Sequence, residues 1–264
     1  MSPLSVFKSL YEDRSSKYNT ALGQLITGAL FFACRSCEYS KVNNSEDRKT
    51  KILTLANIKF FKDLLEVLVP GNFKYADFIQ LTFVCQKNQM NNQSIIQHKS
   101  SFSLCPVKTW AELKCRILSY PRTSEESAVN VFYQKGKLVQ FTSDAVRTHL
   151  RKYIKDTDPF ETFYKSSKIG THSIRTSFAM ILHDIGVSPY IIKLIGRWQS
   201  DAWLSYIRQK LPDFSQNIAK RMVKSDAEFK SLPNPKTKSQ LHGHRSVPNL
   251  TEPNEETKAF HIWH

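Results

Sequence analysis

The stretch from Thr171 to Arg208 constrains the fold more than any other part of the chain. It reads THSIRTSFAMILHDIGVSPYIIKLIGRWQSDAWLSYIR. Ile174, Phe178, Ile181, Leu182 and Ile185 recur at helical spacing and predict a helix with one buried stripe. Gly186 ends that helix. Ser188 and Pro189 open a second with an N-cap and a proline in its first turn. Ile191, Ile192, Leu194 and Ile195 continue it and Gly196 closes it. Ser200 and Asp201 then cap a short third helix carrying Trp203, Leu204, Tyr206 and Ile207. His172 and Arg175 are three apart and share a helix face. The pattern therefore mounts His, Arg, Trp and Tyr on three short helices around one core.

That set of side chains has a joint chemistry. Histidine accepts or donates a proton near neutral pH. Arginine presents a planar fork of donors that fits two phosphate oxygens. A tyrosine hydroxyl becomes a covalent nucleophile once its proton is removed. Tryptophan adds an indole N–H and a large apolar wall. Together they suit attack on a phosphodiester without a metal. Taken singly, each more often has a structural place in a helical core; it is the joint pattern that is rare.

The motifs H-x-x-R (His172 to Arg175), G-R-W-x-S (Gly196 to Ser200) and Y-I-R (Tyr206 to Arg208) resemble the catalytic domain of tyrosine recombinases, the phage-integrase superfamily. The G-R-W form with D-A-W-L-S-Y behind it is most similar to recombinases of eukaryotic mobile elements, the DIRS-type retrotransposons and Cryptons. The resemblance covers about residues 15 to 225. It departs from many phage and bacterial members in one respect: Tyr206 follows Trp198 by eight positions, one fewer than usual.

The resemblance implies a site. Arg35, in F-F-A-C-R-S-C-E-Y, matches the first catalytic arginine, and Glu38 three residues on would orient it; a local salt bridge is the alternative for Glu38. Lys87 falls on a β-hairpin where the family keeps its catalytic lysine, with Lys99 as the fallback. His172, Arg175, Trp198 and the nucleophile Tyr206 complete the set. Arg147, Arg151, Lys152 and Arg197 are candidate contacts to DNA backbone. The implied activity is site-specific cutting and rejoining of DNA through a 3′-phosphotyrosine, in integration of a mobile element, with no cofactor and no metal. The alternatives are a type IB topoisomerase-like enzyme, against which Trp198 stands where those enzymes keep a His, and an inactive DNA-binding module. The family's N-terminal clamp domain has no counterpart in the short sequence before Tyr18.

Composition agrees with a polyanionic partner. The chain has 264 residues, a formal net charge of +15 and 41% hydrophobic residues, enough for a real core. Double-stranded DNA is the first candidate for so basic a chain. The five cysteines are scattered and no secretory signal precedes them, which fits reduced thiols inside a cell, in the nucleus if the source is eukaryotic and otherwise in the cytoplasm. Cys34 and Cys37 form a C-x-x-C without a second pair or a His pair at ligand spacing, so no zinc site is expected. No apolar run reaches membrane-span length.

The remaining elements give an α+β chain, mainly helical, with a small antiparallel sheet and hairpins at the edge of a helical core. Residues 1–15 read as a leader, 16–225 as the catalytic domain and 226–264 as a polar, disordered tail with Pro233, Pro235, Pro248 and Pro253. A buried helix runs from Tyr18 to Ala33. Strands are expected over 51–61, 81–86 and 94–101, a helix from Pro106, a hairpin about Lys135-Gly136 and a helix after the Thr142 cap. Phe214, Ile218 and Met222 space a last helix, through which copies of the chain are expected to associate on DNA.

Overall fold

A computed structural model describes residues 3–42, 50–86 and 91–204. The architecture follows from one helix that is apolar all round. Every residue from Ala21 to Leu30 of α2 (Lys17–Phe31) is buried, Gln24 and Thr27 included. A helix with no polar face must be surrounded. Here α1 (Pro3–Glu12), α4 (Pro106–Leu118) and α6 (Thr171–Asp184) pack against it. Ser16 caps its N-terminus by accepting the Asn19 N–H at 3.0 Å. Gly28 is required where α4 crosses: a Cβ there would meet the Trp110 ring at 3.0 Å, and the Trp110 indole donates to the Gly28 carbonyl at 3.2 Å.

Helix α1 corrects the expectation that residues 1–15 are a leader. Val6, Phe7, Leu10 and Tyr11 are spaced i, i+1, i+4 and i+5, so they share one helix face, and all four are buried. The contact with α2 is close enough that a Cβ on Gly23 would lie 2.3 Å from the Leu10 carbonyl oxygen.

Four antiparallel strands form the sheet in the order β2-β1-β3-β4, from β1 (Ile58–Lys62), β2 (Leu65–Glu66), β3 (Phe78–Phe83) and β4 (Gln93–His98). The strand expected over 51–61 is shorter at its start. Thr54 donates its N–H to the Asn57 side chain at 2.8 Å, which closes a 3-10 turn over Leu55–Asn57 before the ladder begins. The second strand starts earlier than expected, because Ile79, Leu81 and Phe83 already alternate inward. A separate hairpin pairs β5 (Val131–Gln134) with β6 (Lys137–Gln140). Its two-residue turn places Lys135 at φ 49° and Gly136 at φ 78°, the left-handed pair that suits the twist of a hairpin. Helix α5 (Ser143–Thr157) follows its Thr142 cap as expected, and α7 (Pro189–Gly196) follows α6. Together these make the expected mainly helical α+β fold. No helix of the described residues is long and apolar enough to cross a membrane.

Leu10 is fully buried between α1 and its neighbours. Leu10→Ala is expected to lower unfolding stability by about 2–5 kcal/mol, the range for a buried leucine that leaves a cavity. Urea denaturation measures it; a loss well under 1 kcal/mol would mean that α1 is dispensable to the core.

Candidate active site

The site is built where two helices end facing each other. Helix α2 stops with Ala33 at φ 46°, its N–H bonded to Leu30 O and the next N–H, that of Cys34, reaching back to Ala29 O. Helix α7 stops the same way: Arg197 sits at φ 56°, its N–H bonded to Leu194 O, with the Trp198 N–H on Lys193 O. Both are Schellman turns, in which the left-handed residue is usually glycine. A residue with a Cβ there costs about 1 kcal/mol or more. Gly196 serves a different need. A Cβ on it would lie 1.6 Å from the Trp198 ring, which folds back over it.

These two ends orient the arginines. Arg175, on α6 and buried, donates from one guanidinium nitrogen to Ala33 O at 3.0 Å and from the other to Gly196 O. The negative ends of two helices thus hold one cation. The Trp198 ring lies under the same guanidinium, 4.2 Å from its centre. Arg35 precedes the short helix α3 (Ser36–Tyr39) and donates to the Arg197 carbonyl, Gln86 Oε1 and Glu38 Oε1, each at 3.0 Å. Its backbone N–H reaches Glu38 Oε2 at 2.7 Å. Glu38 is buried and also accepts from Arg197 at 2.8 Å. It is more than the local partner that the i, i+3 spacing allows, because it ties α3 to the end of α7.

Arg197 is not on a surface. Its side chain is 0% exposed, stacked 3.3 Å from the centre of the Phe83 ring at the end of β3. It therefore cannot contact DNA backbone from this position, and it departs in that respect from the other three candidates on α5. Arg147 and Lys152 are exposed, Arg147 alongside Asp144 at 2.7 Å. Arg151 is half-buried and bound to the Ile169 and Ser167 carbonyls at 2.8 Å, which fixes the entry to α6.

Arg35, His172, Arg175, Arg197 and Trp198 line one cavity of about 470 Å³. Among the described residues three guanidinium groups line it and one carboxylate, Glu38, is paired with two of them, which leaves a surplus of two positive charges. Burial first, and then Arg35 and Arg197, push the Arg175 guanidinium down to about 9. A guanidinium remains charged at neutral pH even so. The shift reflects the burial of Arg175 first and the neighbouring guanidinium charges after it. Burial, and after it the charge on Arg175, also lowers the His172 imidazole below its ordinary value, so its neutral, proton-accepting form dominates at neutral pH. Sequence reasoning missed Gln86, Phe83 and Ala33, which have no reactive side chain and act by position.

Lys87 and Tyr206 lie outside the described residues, as do the expected last helix and tail over 205–264. Gln86, which immediately precedes Lys87, is in contact with Arg35. Lys99, the fallback lysine, is paired with Asp77 at the opposite end of the β3–β4 ladder, about 20 Å of strand away from Phe83.

No family model and no curated protein matches the chain. Among solved structures it is similar to the Tn1549 transposon integrase in complex with circular intermediate DNA, at 13% identity and a TM-score of 0.42, over 78% of this chain and 59% of that one. The FLP recombinase–Holliday junction complex is similar over 75% of this chain and 42% of that one, at 14% identity and a TM-score of 0.42. The chain therefore spans less than two thirds of the length of either.

The uncompensated charge makes a direct prediction. Sulfate at ~0.1 M should raise the melting temperature by about 5 °C or more over sodium chloride of equal ionic strength, as expected for a site occupied at ~100 times its dissociation constant. The increment should shrink in Arg175→Gln. Equal melting curves in the two salts would show that the cavity does not take an oxyanion.

Proposed function

We propose that the chain is the catalytic domain of a tyrosine recombinase, cutting and rejoining DNA through a covalent phosphotyrosine. The observation that carries this reading is the pair Arg35 and Arg175, held by helix-end carbonyls around a cavity with a surplus of two positive charges. A phosphodiester with two non-bridging oxygens is the ligand that such forks fit. Tyr206 follows Trp203 by three residues, at most about 10 Å of chain. Trp203 is buried with its ring 6.4 Å from that of Trp198 on the cavity wall.

The steps balance as follows. The Tyr206 hydroxyl oxygen adds to phosphorus as its proton passes to neutral His172. Arg35 and Arg175 stabilise the charge that develops on the non-bridging oxygens. The bond from phosphorus to the 5′-oxygen breaks, and that oxygen leaves as a hydroxyl with a proton from Lys87. The product is a 3′-phosphotyrosine and a free 5′-hydroxyl. Attack by another 5′-hydroxyl reverses the sequence on a new partner strand and returns the tyrosine. Trp198 supports the Arg175 guanidinium by stacking. The resemblance to mobile-element recombinases extends the proposal to element integration, with association of copies on DNA through residues 213–224.

A nicked suicide substrate carrying the target site tests this. The full chain should form a denaturant-resistant adduct, and Tyr206→Phe should form none. An adduct that survives in Tyr206→Phe rules out this nucleophile; DNA retention without any adduct from the parent chain points to a binding module. The rate of adduct formation should also depend on His172. Its depressed imidazole loses the acceptor form only when pH falls below the ordinary 6.5. The acid limb should therefore lie below pH 6.5 and be absent in His172→Gln. A limb at or above 6.5 would assign the proton to another group.

A further inference from the structure

Arg197 occupies a left-handed helix end, where glycine would relieve the backbone, and its side chain is wholly withdrawn from solvent. Such a residue must be held there by its contacts. Its guanidinium pairs with the equally buried Glu38 at 2.8 Å and lies flat on Phe83. A second bond runs to Ala33 O at 3.4 Å, the same carbonyl that holds Arg175. Its own carbonyl receives Arg35. Nε and the other guanidinium nitrogen are buried without a hydrogen-bond partner. So Arg197 touches the anchors of both Arg35 and Arg175 while its guanidinium is withdrawn from solvent.

Its charge matters as much as its position. Without Arg197, Glu38 would neutralise one of the two arginines that face the cavity, leaving a surplus of one. With Arg197 present, Glu38 is shared between Arg197 and Arg35, and the three guanidinium groups keep a net surplus of two. A phosphodiester carries one negative charge. The five-coordinate phosphorus formed when a tyrosine oxygen adds to it carries two. An interaction made more strongly with that second charge accelerates the reaction rather than tightening ground-state binding.

We propose that Arg197 is a positioning residue that sets the charge of the site: it neutralises Glu38 so that the cavity matches a doubly negative phosphorus centre instead of a singly negative one. The inference deepens the strand-transfer reading and rests on it for the chemistry, but the charge match is measurable on simple anions. It also predicts an unusual rescue. Removing Arg197 and the Glu38 charge together restores the surplus of two.

The test compares the full-length parent, Arg197→Gly, Glu38→Gln and the double variant Arg197→Gly/Glu38→Gln. Glycine suits the left-handed turn, so Arg197→Gly removes the charge without straining the backbone. Two titrations followed by calorimetry use sulfate, a dianion, and dimethyl phosphate, a monoanion. Arg197→Gly should weaken sulfate about tenfold or more, and dimethyl phosphate by a smaller factor, because a lost unit charge acts in proportion to the ligand's own charge. The double variant should recover most of the sulfate affinity. Circular dichroism melts confirm that each variant is folded, and an Arg197→Gln variant, which removes the charge but keeps a hydrogen-bond donor for Glu38, stands in for Arg197→Gly if that is not. On the suicide substrate, Arg197→Gly should lower the single-turnover rate at saturating DNA by about 100-fold while changing DNA affinity by less than about threefold, with recovery again in the double variant. Equal weakening of both anions, full activity of Arg197→Gly, or no recovery in the double variant would each overturn the proposal. If the parent binds sulfate but forms no adduct, the strand-transfer reading fails while the anion arms still decide the role of Arg197.

Discussion

The Glu38 carboxylate is the interaction on which the site depends. It is 1% exposed and takes hydrogen bonds from the Arg35 backbone, the Arg35 guanidinium and Arg197. A lone buried carboxylate would be strongly unfavourable, and a buried ion pair by itself contributes little net stability. Removing one partner is another matter, at about 3–5 kcal/mol, because the other charge is left uncompensated. Glu38 and Arg197 are 159 positions apart. Their pairing therefore specifies how the start of the chain meets the end of the described fold, more than it adds to stability.

Around that pair, backbone carbonyls do what side chains do elsewhere. The last turns of α2 and α7 leave carbonyls that no helical N–H can reach. Ala33 O, Gly196 O and Arg197 O each receive a guanidinium N–H instead. The arrangement satisfies two needs at once. Helix ends obtain donors, and Arg175 obtains a fixed direction from carbonyls alone, with no carboxylate bonded to it to cancel its charge. Only Glu38 supplies negative charge among the described hydrogen-bond partners of Arg35, Arg175 and Arg197, and that scarcity is what leaves the cavity positive.

Much of this was legible in the sequence and some was not, for physical reasons. Helical periodicity gave α2, α6 and α7 with their ends, because apolar stripes and glycine stops are local signals. The His172 and Arg175 spacing placed two cavity residues on one face for the same reason. Helix α1 was misread because five apolar residues in ten do not distinguish a docked helix from a leader until the surface that receives them is known. Strand starts shifted because a 3-10 turn and a strand entry share residue types. Arg197 was misjudged most. An arginine after a glycine at a helix end looks like a surface cation, and only the tertiary fold brings Phe83 and Glu38 to it from 114 and 159 positions away. The one local hint was an arginine directly after Gly196, at the left-handed position of a turn that ordinarily uses glycine there. Lys87 and Tyr206 rest on motif spacing alone, since both lie outside the described residues.

The same geometry explains why charge is stored in the free protein. Two arginines directed by rigid carbonyls do not reorganise when an anion arrives, so the expense of assembling them is met during folding and not during reaction. Burial and mutual repulsion depress the Arg175 guanidinium for that reason. A more comfortable site, with a second carboxylate beside Arg175, would leave the cavity less positive. The Trp198 ring fits this logic. Its face stabilises the Arg175 cation through its quadrupole without contributing a formal negative charge. Gly196 lets that ring lie close enough to do so, and the left-handed turn at Arg197 brings the chain back to place it there. The G-R-W sequence is thus a single device in which the glycine makes room, the arginine pairs with Glu38 and the tryptophan supports the Arg175 cation that lines the cavity.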